Sequence, residues 1–440
     1  MFLTYVHFTV LLCVLHYRYV HMFSVVERAL ELQPVDILPE PLPVVPPRTV
    51  APPLSVPRDN GTTPQSSISG SQDVLDLAFI MDTTGSMSSY IHTARENIRR
   101  VVDETVQSSK TDIRFALVEY RDHPPQDSTF VVRTHDFTSS VLDMKSWLDR
   151  AEANGGGDTP EAVADALNAT TGLSWRKNVV KVAVLISDAP PHGLEPDIDN
   201  TFKQGGPNGL DPIAIAHEIA KLGVTMYAVG CEPDITPYKD LFMAIAHITG
   251  GQYIPLNSPR KLIDAIIGGA KEELSLQQFA TDVRQEVKKV IEAGGQVDEK
   301  QIANNVYQKL HSANVETTQL LLNDQPLEGP TGGAIEIAAT RNMSEARKVF
   351  TKGAPTVRSF ATVMSEPVYF GRAMVMPSLV SDGSAMMAEG EAMLPIAALS
   401  ASAGVGSASW EPEVYTAAKK AISIEQVNRL VKKETAKLAR

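Results

Sequence analysis

An apolar run that stops abruptly at a carboxylate constrains this chain more than anything else in it. The stretch reads LDLAFIM over residues 75–81 and continues as DTTGSM over residues 82–87. Leu75, Leu77, Ala78, Phe79, Ile80 and Met81 form a nearly continuous apolar segment, the pattern of a strand buried on both faces of a parallel sheet. Asp82 falls at the carboxyl end of that strand and is followed by the hydroxyls of Thr84 and Ser86. In open α/β sheets ligands bind in the crevice beyond the carboxyl ends of the strands, so chemistry is expected here.

The downstream sequence keeps a strand–helix rhythm. Ile91, Ala94, Ile98, Val101, Val102 and Val106 recur at helical spacing, and residues 113–120 and 130–135 read as strands. Residues 141–153 and 162–173 read as helices, the second started by Thr159-Pro160-Glu161. A continuous apolar strand over 179–187 ends at Asp188. Helix 211–222, strand 224–230, helix 238–249, the short strand 251–256 and helix 261–274 complete the series. The expectation is an α/β domain over residues 73–275, with a doubly wound, mostly parallel six-stranded sheet and helices on both faces.

Asp82-x-Thr84-x-Ser86 after a first strand resembles the metal-ion-dependent adhesion site (MIDAS) of von Willebrand factor type A (VWA) domains. The resemblance continues through GGGDTPEA at 155–162 and VAVLISDAPPHG at 182–193, in the order that family uses for its second and third metal loops. The wording DTTGSM with GGGDTPEA is most similar to A domains that occur beside alpha-kinase domains. The family implies a Rossmann-like fold and a metal site formed by Asp82, Thr84, Ser86, Thr159 and Asp188, with Asp158 the alternative to Thr159. The implied cofactor is Mg2+, with Mn2+ or Ca2+ as alternatives, and the implied partner is a protein presenting Asp or Glu. Hard divalent cations want oxygen ligands, and hydroxyls among them neutralise the charge only in part, so an acidic residue of a partner can fill a vacant position. Read one at a time, the same residues are ordinary: Asp82 with Thr84 and Ser86 makes a capping turn, Asp188 a turn before Pro190-Pro191, and the glycines a flexible loop.

The rest of the chain is read from composition. A length of 440 residues suits roughly two or three domains, and 43% hydrophobic residues suffice for a large core. The net charge of -12 argues against nucleic acid as a partner. Cys13 and Cys231 cannot make a disulfide framework. Residues 1–33 contain an apolar leader at 2–17 that is shorter than the ~20 residues of a membrane span and lacks a signal's basic start and cleavage site. The expected compartment is therefore the cytoplasm, with secretion or anchoring the alternative if residues 1–33 act as a signal, and no membrane contact outside 2–17. Residues 34–72 read as a Pro/Ser/Thr-rich, disordered linker, 276–325 as a helical hairpin, 326–416 as mostly disordered low-complexity chain, and 417–440 as a solvated basic helix.

Three functions compete. The favoured one is a non-catalytic protein-interaction module of the VWA type. A kinase-associated or regulatory role in the alpha-kinase-linked group is the alternative, although no histidine follows His311 and no cysteine follows Cys231 to build that kinase's zinc site, and no glycine-rich nucleotide loop follows the A domain. A metal-dependent phosphohydrolase is the third, weakened because the position two residues after Asp82 is Thr84 rather than a second carboxylate. His123, His192 and Glu161 lie on loops that could border the site but are given no chemistry, since a loop histidine is more often solvated than ligating; Asp122 could touch the rim and is left on the same side, and His217 and His247 read as packing residues.

Overall fold

The computed structural model describes residues 74–106, 112–294, 297–353 and 413–439. The leader at 1–33, the linker at 34–72 and the low-complexity tract around 371–409 lie outside them. The central sheet is built from β1 (Val74–Asp82), β2 (Asp112–Tyr120), β3 (Val132–Thr138), β4 (Val180–Ser187), β5 (Thr225–Cys231) and β6 (Tyr253–Leu256). Its order is β3-β2-β1-β4-β5-β6, parallel throughout except for β3, which runs antiparallel to β2. The order reverses on either side of the β1–β4 pair, and the carboxyl ends of those two strands frame the crevice that such a reversal opens.

Alternation along β1 feeds two cores. Ala78 and Ile80 join one apolar cluster, whereas Leu75, Leu77, Phe79 and Met81 join the other. The first face is covered by α3 (Val163–Thr171), α4 (Pro212–Lys221) and α5 (Lys239–Ile248), and the second by α1 (Ser88–Val106), α2 (Val141–Arg150) and α6 (Leu262–Gln277). Asp211 starts α4, accepting from the backbone N–H groups of Ile213 and Ala214 at 3.0 Å, with Pro212 in the first turn where its missing N–H costs nothing. One charge is buried under β1: Asp76 is fully enclosed and takes bidentate bonds from Arg114 at 2.8 and 3.0 Å, with Arg176 Nε at 2.8 Å.

Beyond α6 the structure holds more order than the composition suggests. α7 (Ala280–Glu292) and α8 (Glu299–Ser312) form the expected pair, and then β7 (Glu316–Leu322), β8 (Gln325–Pro326) and β9 (Tyr415–Ala421) make a small antiparallel sheet in the order β8-β7-β9. Leu320 of β7 packs so closely on α6 that a Cβ at Gly268 would lie 2.4 Å from its Cδ1. Within the span read as disordered, α9 (Gly332–Ala338) and α10 (Met343–Val349) pack on the first core through Ala334, Ile337, Met343 and Ala346.

The last segment corrects the sequence reading most. Residues 415–421 form a strand, and only Ile424–Leu438 is helical (α11), started by a Ser423/Gln426 capping box. This helix is not simply a solvated charged face. Arg429, Lys433 and Glu434 are buried, with Arg429 donating to Tyr227 Oη at 2.8 Å and to Glu273, and Lys433 Nζ standing 3.2 Å from Glu273 Oε2. Gln426 adds a bond to Glu272 at 2.8 Å. The polar positions face the carboxylates of α6, while Val427, Leu430 and Val431 share a third apolar cluster with α7 and α8.

Candidate functional site

The crevice at the ends of β1 and β4 gathers chemistry from three loops. Thr84 donates its backbone N–H to Asp82 Oδ1 at 2.9 Å and its hydroxyl to the same oxygen at 2.6 Å. The Ser86 hydroxyl stands 3.3 Å from that of Thr84 and also bonds the Asp188 carboxylate. Asp82 is fully buried and Asp188 nearly so, yet Asp82 Oδ2 and Asp188 Oδ1 have no hydrogen-bond partner. Buried carboxylate oxygens without a donor are costly, and a bound cation is one way to satisfy them.

The glycine loop between α2 and α3 is stitched onto this crevice. Asn154 N donates to Thr83 O at 3.1 Å, Gly85 N to Gly155 O at 3.2 Å, and Glu161 N to Pro190 O at 2.9 Å. Gly156 sits at φ +75°, where a Cβ would come 2.9 Å from Glu161 Oε1 and 3.2 Å from Thr84 Cβ. Close approach, not flexibility, accounts for glycine there.

The structure brings Asp82, Thr84, Ser86 and Asp188 together. Thr159 is exposed and takes no part in their hydrogen bonds. Asp158 is half-buried: its Oδ2 accepts from Gln126 at 3.3 Å, its Oδ1 has no partner, and its charged neighbours are Asp122 and His192. The side chain this loop sends inward is Glu161, buried and with Oε2 unpartnered. Burial pushes its carboxyl well above the ordinary glutamate range, and the charges of Asp82, Asp122, Asp188 and Asp158 push the same way. Asp82 is likewise held high, first by burial and then by Asp188. Sequence reading passed over Glu161 because Pro160-Glu161 looks like a helix start. The helix begins instead at Val163 with no side-chain cap, and Glu161 forms a parallel bridge with Pro191.

The loop histidines also differ from expectation. His123 and His192 are buried, not solvated. His192 lies between Asp199 Oδ2 at 3.0 Å and Asp122 Oδ1 at 2.5 Å, and His123 Nε2 is 2.9 Å from Asp165 Oδ2. Both ring nitrogens of His192 face carboxylate oxygens, which only the protonated ring can satisfy. Burial alone would lower its pKa, but Asp122 and Asp199 outweigh burial and raise it. Asp122 is thus a fully enclosed anchor whose Oδ2 remains unpartnered, rather than a rim residue. His217 and His247 pack as expected, His217 against Thr340 O at 3.0 Å and His247 held down to about 4 by burial and Lys432.

Among the described residues, no three His, Cys, Asp or Glu side chains form a cluster that could hold a metal. A cation at this crevice would therefore depend on hydroxyls beside its carboxylates. The donors present fit a hard divalent ion in kind: two carboxylate oxygens without partners, two hydroxyls, and Glu161 beside them.

Residues 76–194 match the family model described as von Willebrand factor A domain. The alpha-protein kinase vwkA of Dictyostelium discoideum is 29% identical over 157 residues, 35% of this chain and 25% of that protein. A putative ariadne-like RING finger protein, R811, of Acanthamoeba polyphaga mimivirus is 25% identical over 197 residues, 44% of this chain and 19% of its own length. The matched part thus spans a quarter or less of these curated relatives. Among solved structures, a von Willebrand factor type A protein from Catenulispora acidiphila is 16% identical with a TM-score of 0.30, covering 47% of this chain and 43% of that one. Proximal thread matrix protein 1 of the mussel byssus, solved with a zinc-occupied MIDAS motif, is 17% identical with a TM-score of 0.32, covering 45% of each chain. Strand order, the position of Asp82 at the carboxyl end of β1 and the matched segment agree: this chain contains a von Willebrand factor A domain.

Proposed function

We propose that this A domain is a non-catalytic interaction module that binds an Asp or Glu of a protein partner through a divalent cation, Mg2+ first among the candidates. The observation that carries the reading is the pair of buried, unpartnered oxygens, Asp82 Oδ2 and Asp188 Oδ1, beside the Thr84 and Ser86 hydroxyls. A cation held there would supply a Lewis-acidic position for a partner's carboxylate. The chain's own residues do the rest. Thr84 fixes the Asp82 rotamer through two bonds to one oxygen, Ser86 links the first loop to Asp188, and the bonds of Asn154, Gly85 and Glu161 hold the three loops in register.

Glu161 sets the charge balance of this reading. Two aspartates offset a divalent ion and leave a neutral centre, to which an acidic partner adds without repulsion. A charged Glu161 would repel that partner; without a cation, burial and the neighbouring carboxylates raise its pKa, and a bound dication would draw it back down. We assign Glu161, rather than exposed Thr159, as the loop residue facing the ion. The occurrence of the matched segment in proteins named for kinase and for RING finger chemistry supports a module that serves different neighbours.

The experiment is a pulldown from lysate with the whole chain, with Mg2+ or with chelator, comparing wild type and Asp82→Ala. Partners retained only with Mg2+ and lost in a folded Asp82→Ala variant support the reading. Identical partner sets in all arms overturn it.

A further inference from the structure

At the opposite end of the sheet from the carboxylate crevice lies a pocket of about 380 Å³, lined by six cations: Lys177, Lys181, Lys221, Arg284, Lys288 and Lys437. They come from four parts of the chain: the approach to and start of β4, the end of α4, the exposed side of α7 and the last turn of α11. No acidic residue lines the pocket. Glu434 and Glu218 touch its cations from outside. Glu434 accepts from Arg284 at 2.6 Å and from Lys437 at 2.7 Å, and Glu218 accepts from Lys221 at 2.8 Å. Among the described residues, neither Lys177 nor Lys288 is paired with a carboxylate. In a chain of net charge -12 this concentration of positive charge runs against the general balance.

Helix dipoles explain only part of it. α4, α6 and α11 all end here, and cations in a last helical turn stabilise the exposed carbonyls, which accounts for Lys221 and Lys437. Lys181 donates to Leu222 O at 3.0 Å in the same way. Lys177, Arg284 and Lys288 are not at helix ends, and Arg284 and Lys288 stand one turn apart on α7, where like charges destabilise a helix.

We propose that this pocket binds a compact polyol carrying several phosphate groups. Its volume falls within the range of small-molecule sites, and a cleft lined by one sign of charge concentrates counter-ions. Lysine ammonium groups act as point charges for phosphate, and Arg284 adds planar donors. The apolar lining is aliphatic, from Val179, Leu222 and Leu438, with no aromatic ring on which a nucleobase could stack. Lys437 sits beside further positive charge: burial, then Lys433, pushes its pKa down to about 8.

The test titrates the full chain, free of divalent ions and at ~0.1 M salt, where electrostatics are only partly screened, with inositol hexakisphosphate, ATP and inorganic phosphate by calorimetry. Vesicles carrying a bisphosphorylated phosphoinositide form a parallel arm. Inositol hexakisphosphate should bind at least about tenfold more tightly than ATP, weaken with added salt, and lose about tenfold or more in affinity in Lys177→Glu with Lys288→Glu. The corresponding arginine pair should retain binding, which separates lost charge from damaged folding, and Asp82→Ala should bind as wild type does. Vesicle flotation that depends on Lys177 and Lys288 supports the proposal with a lipid headgroup as source, and binding of the soluble probe without flotation supports it with a free ligand. Equal affinity for ATP, or undiminished binding in the glutamate pair, overturns it.

Discussion

Thr84 gives both its backbone N–H and its hydroxyl to one oxygen of Asp82, at 2.9 and 2.6 Å, and leaves the other oxygen of that carboxylate without a partner. A side chain held on one edge and bare on the other has one oxygen open to a cation. If that is a divalent ion, Mg2+ at a hundredfold excess over its Kd stabilises the fold by about 2.7 kcal/mol. Thermal unfolding with and without Mg2+ should show an upward shift of several degrees in wild type and none in Asp82→Ala, whose circular dichroism should stay native.

Gly156 gives a second handle on the same crevice. With φ at +75° and Glu161 Oε1 2.9 Å from any added Cβ, Gly156→Ala strains the backbone and displaces Glu161. The expected cost is about 1–3 kcal/mol, together with a weaker Mg2+ response. Denaturant midpoints and the Mg2+-induced thermal shift measure the two effects separately.

The C-terminal helix is fastened through Arg429, which lies fully buried against Glu272, Glu273 and Tyr227. Arg429→Met leaves two enclosed carboxylates short of their guanidinium. Removing one partner of a buried ion pair typically costs about 3–5 kcal/mol. Urea unfolding should report a loss of that size, with any Mg2+-induced thermal shift unchanged while the protein remains folded.

Lys437 yields a pH signature. Its pKa is about 8 in the folded chain, lowered by burial and Lys433, against ~10.4 for an unfolded lysine. Between those values the unfolded state binds more protons, so this group makes stability rise as pH rises from about 8 towards 10.4. The penalty is fully present below pH 8. Lys437→Met should raise the melting temperature at pH 7.5 relative to wild type, and the difference should shrink by pH 10.

How much of this was legible in the sequence follows from where burial is symmetric. β1, β4 and β5 lie inside a parallel sheet and are apolar on both faces, so their runs announced themselves, and Asp82 and Asp188 marked their ends. β9 carries YTAAKKA, a string of good helix formers with no apolar alternation beyond buried Tyr415, and only its pairing with β7 makes it a strand. Glu161 was hidden for a related reason: nothing local distinguishes an acid at a helix start from one that a distant bridge to Pro191 turns into a crevice. The basic residues of α11 look solvated by spacing, because their partners Glu272 and Glu273 sit on α6, more than 150 positions earlier.

The strand pairing of β7 with β9 fixes what a working fragment must contain. Gln319 bonds the carbonyl of Ala421 across 102 positions, so a clone cut after α10 keeps β7, loses β9 and unmasks a strand rim. Such pieces should tend to stick to one another, while the segment from Glu413 onward, supplied in trans, should restore them. Recombinant work on the A domain therefore begins near Val74 and runs to the far end of α11.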